Sequence, residues 1–134
     1  MNILCFDDLL AATRTQPTAQ RLLMVFVTAD LPDDATAQQR ADFEAGDGGA
    51  LLPAMCVDKT TDELDSFAAM ALEATQFGVP WRMVFASTMS GLGQQPPSSD
   101  ATRPILEHMV ESIKLGAFSN MIAFDTHGNA VSFG

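Results

Sequence analysis

The sequence predicts a single layered α/β domain over residues 1–134, with α+β as the alternative, built on a mixed sheet of about five strands. Three observations predict it. Apolar runs of strand length alternate with segments at helical spacing, in the order α β α β α β α β β. Hydrophobic residues make up 47% of the chain and charged residues 18%, which supplies an interior and argues against global disorder. The closing segment reads as a hairpin, so at least one antiparallel pair must join a sheet whose interleaved helices otherwise favour parallel pairing.

Each element has a local reason. Asp7 or Asp8 is suited to cap a short first helix through Leu9, Leu10, Ala11 and Ala12, which Pro17 stops. Arg21 to Ala29 (RLLMVFVTA) is a continuous apolar run that suits a strand covered on both faces. Thr36 is a good N-cap for a helix through Ala45, with Gly46 at the left-handed position after it and Asp47, Gly48 and Gly49 as a turn. Leu51 to Asp58 (LLPAMCVD) reads as a second strand. Pro53 has no amide hydrogen for a ladder, which puts it at an edge, at a bulge or at the strand's first residue.

Thr61 or Asp62 then starts a helix with Leu64, Phe67, Ala68, Ala71 and Thr75 on one stripe, ended by Gly78 and Pro80. Trp81 to Ser90 resumes the strand pattern, and Gly91, Gly93, Pro96 and Pro97 interrupt it with a loop. A last helix runs from Asp100 or Thr102 to about Leu115, with Ile105, Leu106, Met109, Val110 and Ile113 at helical spacing, Pro104 in its first turn and Gly116 after it. Phe118 to Gly134 closes the domain as a hairpin turning on Asp125 to Asn129.

Composition limits the partners. Seventeen acidic residues against seven basic ones give a net charge of −10, a field that repels phosphate backbones and anionic lipid surfaces, so neither nucleic acid nor membrane is expected. Ten of the carboxylates fall between residues 30 and 65, against Arg40 and Lys59 there, which reads first as a solvated acidic face. Cys5 and Cys56 are far apart and each sits in an apolar stretch, so no disulfide framework or cysteine metal knuckle is implied and a reducing cytoplasmic setting fits best. Met1 to Leu10 lacks a basic n-region, and no apolar run reaches the ~18 residues that span a bilayer. The methionines sit within or beside apolar segments, as core filler does, and Trp81 after Pro80 reads as an anchor of strand to core.

Leu51 to Ala69 (LLPAMCVDKTTDELDSFAA), with ADLPDDATAQQRADFEAGDGGAL before it, resembles a family of small proteobacterial proteins over nearly the full length of the chain. Some members of that family carry the label ribonucleotide reductase alpha subunit. A reductase large subunit is a far longer barrel that needs a radical cysteine, a reducing cysteine pair and a nucleotide pocket; two isolated cysteines do not provide them, so no reductase activity is expected. The order of an apolar strand with a proline, a helix like DELDSFAA and a closing helix, strand, turn and strand (LEHMVESIKLGAFSNMIAFDTHGNAVSF) is similar to the N-terminal domain of the serine-sensitivity-enhancing protein family. That likeness is topological and brings no catalytic motif.

Three sets of residues are candidates for chemistry. Asp58 ends a predicted strand, and with Asp62 or Glu63 and either His108 or His127 it would furnish oxygen and imidazole ligands for a metal-assisted hydrolase. His108 lies between Glu107 and Glu111 on a helix face turned from the apolar stripe, and His127 lies in a turn, positions that solvent exposure and turn geometry also explain. Ser90, Gly91 and Gly93 follow a strand and precede a helix, where backbone amides can cradle a small anion; no phosphate-loop or dinucleotide fingerprint accompanies them. The reading with most support is a non-catalytic interaction or accessory domain without a cofactor. Its partner would be another protein or a second copy, met through an apolar sheet edge or helix face.

Overall fold

The apolar run found in the sequence becomes the centre of the sheet. In a computed structural model, which describes residues 3–30, 36–44, 50–78, 80–117 and 121–131, β1 (Gln20–Asp30) is flanked by β2 (Ala50–Thr60) and β3 (Met83–Ser90). Strand β3 pairs onward with β4 (Ile122–Asp125), and β4 with β5 (Ala130–Val131), giving the order β2-β1-β3-β4-β5. The five strands and the order of elements are those expected. The pairing differs, for every neighbouring pair is antiparallel. Strands β2 and β3 run in the same direction but stand on opposite sides of β1, so the passage through the helix between them never makes two parallel strands neighbours.

Successive side chains of β1 point to opposite faces, and both faces are covered, which is why the run is continuously apolar rather than alternating. Leu22, Met24 and Phe26 join Val84, Ala86 and Phe124 against α1 (Phe6–Arg14) and α3 (Phe67–Gln76). Leu23, Val25 and Val27 join Phe85 and Ala123 against α4 (Ser99–Lys114) on the other face. The result is two helices, a sheet and one helix in three layers. Five rings link the first interface: Phe124 to Phe6 at 5.2 Å, Phe6 to Phe67 at 5.6 Å, Phe67 to Trp81 at 6.3 Å and Trp81 to Phe26 at 5.0 Å between centroids. Trp81 thus anchors the start of β3 to the core, edge-on to Phe26.

Helix ends depart from the sequence expectations in informative ways. Cys5 occupies the N-cap of α1 without a side-chain cap, while the Leu4 amide donates to Asp8 Oδ2 at 3.1 Å. Asp7 instead accepts from the amide of Phe67 at 2.9 Å, so it satisfies the first turn of α3. Thr60 and Glu63 form a capping box over a short 3-10 turn, Thr61–Glu63, after which the backbone extends at Leu64 and buries that side chain. Helix α3 therefore begins later than expected, capped by Ser66 Oγ on the amide of Ala69, and buries Phe67, Met70 and Ala74 while Ala68 and Thr75 face solvent.

Ser98 caps α4 through the Ala101 amide at 3.2 Å and starts the helix at Ser99. Pro104 consequently falls in the second turn rather than the first, where its missing donor leaves the ladder one bond short. Thr36 caps α2 (Ala37–Glu44) as expected, its Oγ1 accepting from Gln39 while Gln39 Oε1 accepts from the Thr36 amide. Gly46, the Asp47–Gly49 turn and the outer parts of the closing hairpin lie outside the described residues.

The two edges of the sheet differ. At the β5 end, Ala130 donates to the Leu4 carbonyl at 2.9 Å, Phe6 donates to the Gly128 carbonyl at 2.7 Å, and Cys5 bridges antiparallel to Asn129. At the other end β2 is the edge strand, and the register slips between Phe26 and Val27, which face Met55 and Pro53 and leave Ala54 as the extra residue of a bulge. Pro53 meets two of its three expected placements at once.

Candidate functional site

Alternation along β2 sends Lys59 and Asp58 to opposite sides of the sheet. Lys59 Nζ reaches Glu73 on α3 at 3.1 Å. Asp58 turns toward α4, where its Oδ2 accepts from Arg21 Nε at 2.8 Å and from Ser99 Oγ at 2.8 Å, with Arg21 Nη2 also at 2.8 Å. Arg21 enters from the neighbouring strand, and its Nη1 donates to the Pro97 carbonyl at 3.3 Å. One carboxylate oxygen therefore ties two strands to the first residue of α4, and Arg21 adds the loop before that helix.

Partial burial alone would raise the Asp58 pKa, but the Ser99 hydroxyl and the hydrogen bonds and charge of Arg21 outweigh it, and the carboxyl titrates below its ordinary value. Such a group is ionised, paired and poorly suited to take up a proton at neutral pH.

Beyond Asp58 the strand and helix separate and leave a groove of about 540 Å³. Cys56 on β2 and Thr102, Leu106 and Val110 on α4 line it. Arg103, Glu107 and Glu111 stand along the helix side. Arg103 turns back to Asp100 at 3.2 Å and Glu111 lies 3.6 Å from Lys114, while Glu107 has no hydrogen-bond or ion-pair partner among the described residues. Burial pushes the Cys56 thiol upward, so it stays a neutral S–H at neutral pH and not the thiolate that nucleophilic or metal chemistry requires. This arrangement can receive side chains, and its Asp58 is already committed to Arg21 and Ser99.

The residues singled out from sequence are not gathered into one site. Among the described residues no three His, Cys, Asp or Glu side chains assemble in a set able to hold a metal ion. Asp58 is committed to Arg21 and Ser99, and Glu63 to Thr60, whose amide first and hydroxyl second hold the Glu63 carboxyl below its ordinary value. Asp62 precedes Glu63 in the same 3-10 turn and borders a separate cleft of about 340 Å³ with Arg14 and Thr61. His108 is exposed on α4 between Glu107 and Glu111 but does not line the groove they line. His127 is exposed in the β4–β5 turn, where Asp125 Oδ1 accepts from its backbone amide at 2.8 Å and from that of Asn129 at 3.0 Å.

Ser90, Gly91 and Gly93 border a cleft or its loop, where the amides of Gly91, Leu92 and Gln95 are already spent. Gly91 donates to the Ala19 carbonyl at 2.8 Å, Leu92 and Gln95 exchange hydrogen bonds at 2.9 Å, and the Gly93 carbonyl accepts from Ala19 at 2.7 Å. Ser90 Oγ accepts from buried Gln20 Nε2 at 2.9 Å. The loop binds itself to β1, and this use of its donors is what a cradle for an anion would have to give up.

Arg21 and Ser99 escaped the sequence reading. Arg21 was visible as the charged residue opening an apolar strand, but its partnership with Asp58 depends on strand register, which no local pattern encodes. No helix among the described residues is long and apolar enough to cross a membrane. No protein-family model, no curated protein and no solved structure matches the chain.

Proposed function

We propose that this chain is a non-catalytic protein-interaction domain that receives a partner polypeptide along β2 and in the groove between β2 and α4. The observation that carries the reading is the asymmetry of the sheet. Its β5 end is occupied by the chain's own residues 4–6, whereas its β2 end is an 11-residue edge strand beside a groove with an apolar floor. An edge strand offers outward N–H and C=O groups for pairing, and a groove on the adjoining face gives alternate side chains of a partner somewhere to go. The saturated Asp58 and the neutral Cys56 support binding over reaction at the same place.

The test uses the thiol already present. In a Cys5→Ser background, Cys56 is labelled with a maleimide photocrosslinker at mildly alkaline pH, where a fraction of the thiol ionises, and irradiated in extract of the source cell, alongside a Cys5→Ser, Cys56→Ser, His127→Cys control labelled at the hairpin turn. The reading expects a discrete adduct from position 56 that position 127 does not give, and that Val110→Asp abolishes in a variant whose circular dichroism is unchanged. Equal patterns from both positions, or no adduct from position 56, overturn it.

A further inference from the structure

Resting on that reading, we infer that the occupant of the groove is a basic extended segment, a strand that pairs with β2 and sets Lys or Arg side chains against Glu107 and Glu111 and apolar ones against Cys56, Leu106 and Val110.

The strand form follows from the edge. A helix laid against β2 would leave the outward backbone groups of the edge to water or bury them unpaired, whereas an added strand satisfies them with its own. An added strand also continues the alternation of the sheet, so every second side chain emerges on the α4 face, where Cys56 and Asp58 already point.

The basic character follows from the charges facing the groove. Asp58 is compensated by Arg21, and Arg103 by Asp100. What remains is Glu107, without a partner among the described residues, and Glu111, with Lys114 at 3.6 Å and both side chains largely exposed. These two carboxylates lie four residues apart on one helix face, an arrangement of like charges that disfavours the helix and that a cation between them relieves. Residues two apart on a strand are spaced by ~6.8 Å, commensurate with the ~6 Å rise between positions 107 and 111 of a helix. The chain as a whole carries −10, which speeds encounter with a basic segment and opposes a second copy of itself.

The probe is a short fluorescent peptide, capped at both ends, that alternates Thr with Lys and Val in turn, titrated into the intact protein and followed by anisotropy. Three further peptides accompany it: one with Glu for Lys, one backbone-N-methylated at alternate residues, and one unlabelled competitor. Saturable binding of the Lys peptide is expected, weakened at least tenfold by Glu107→Lys with Glu111→Lys and severalfold by Glu107→Gln with Glu111→Gln. It should also weaken as salt rises, and amides of β2 should gain protection from hydrogen exchange. These substitutions lie on exposed positions, and unchanged thermal melts establish that the variants fold. Equal binding of the Glu peptide, or indifference to the variants, overturns the basic character; equal binding of the N-methylated peptide overturns the strand form. Sedimentation as a dimer that is broken by Val110→Asp also overturns the inference, in favour of a second copy. If the Lys peptide fails while the Cys56 adduct persists, the occupant is wrong and the interaction site stands; loss of both removes the site as well.

Discussion

Removing the Asp58 side chain tests how α4 is fastened to the sheet. In Asp58→Ala the acceptor of Arg21 Nε, Arg21 Nη2 and Ser99 Oγ disappears together with the charge that Arg21 faces. The side chains of Arg21 and Asp58 are 13% and 20% exposed, so the orphaned guanidinium is mostly shielded and keeps the Pro97 carbonyl at 3.3 Å as an acceptor. Breaking a fully buried pair costs ~3–5 kcal/mol, and water reaching this one lowers the expectation to about 2–3 kcal/mol. At this chain length that corresponds to a fall in Tm of about 8–12 °C. Urea unfolding with an unchanged m-value is the assay, and a cycle with Arg21→Met should isolate a coupling of about 1.5–2 kcal/mol.

The acid limb gives an independent check. Because the folded-state pKa of Asp58 is lowered, its contribution is complete above the unfolded value of ~3.9 and is lost as pH falls from there through the folded value. The gap between wild type and variant should therefore be constant from pH 5 to 8 and close in stronger acid. A coupling within ~0.4 kcal/mol of zero, or a gap that does not close, refutes the account.

Other expectations follow from single contacts. Gly128 has φ +84°, and a Cβ there would lie 2.8 Å from the Phe67 ring, whereas Gly78 has φ +74° with open space around it; Gly128→Ala should thus cost clearly more than the ~1–2 kcal/mol expected of Gly78→Ala, and equal losses in urea would show that Phe67 yields freely. Pro104→Ala restores a donor in the second turn of α4 and should stabilise by about 1 kcal/mol, read as a rise in Tm; a fall would mean the proline ring packs usefully. Asp125→Ala removes the acceptor for two turn amides and should cost about 1 kcal/mol, with faster hydrogen exchange at His127 and Asn129 as its local signature. Asp7→Ala leaves the Phe67 amide uncapped and should lower stability by about 1 kcal/mol although the two residues lie on different helices, whereas a purely local role for Asp7 predicts no change at α3 in hydrogen exchange.

What could be read from the sequence was whatever local chemistry determines. The run from Leu22 to Val27 had to be buried on both sides, Thr36 had to cap, Pro53 had to avoid a central ladder, and Asp125 to Asn129 had to turn. The antiparallel sheet was not readable, because a continuous apolar strand requires covered faces and says nothing of its neighbours' direction. Helix starts failed where two caps compete. Thr60 with Glu63 does cap, but Leu64 must leave the helix to reach the core, and Ser66 caps again. At α4, placing Pro104 in a first turn shifted the start past Ser98. Of the groove, Asp58 was singled out as the end of a strand although β2 runs on to Thr60, whereas Arg21, Ser99 and the exposed face of Cys56 needed the register of two strands and the position of a helix some forty residues away in the chain.

The pairing of residues 4–6 with residues 128–130 bears on how the molecule is made. A ribosome delivers the first of these segments long before the second, so during translation α1 can sit on a partly built sheet but the Leu4, Cys5 and Phe6 backbone has nothing to close against. Completion waits until the β4–β5 turn has left the exit tunnel. Until then the nascent chain exposes the Phe6 ring and an unfinished strand border, which makes the interval after synthesis of α4 the one in which a chaperone has most to protect.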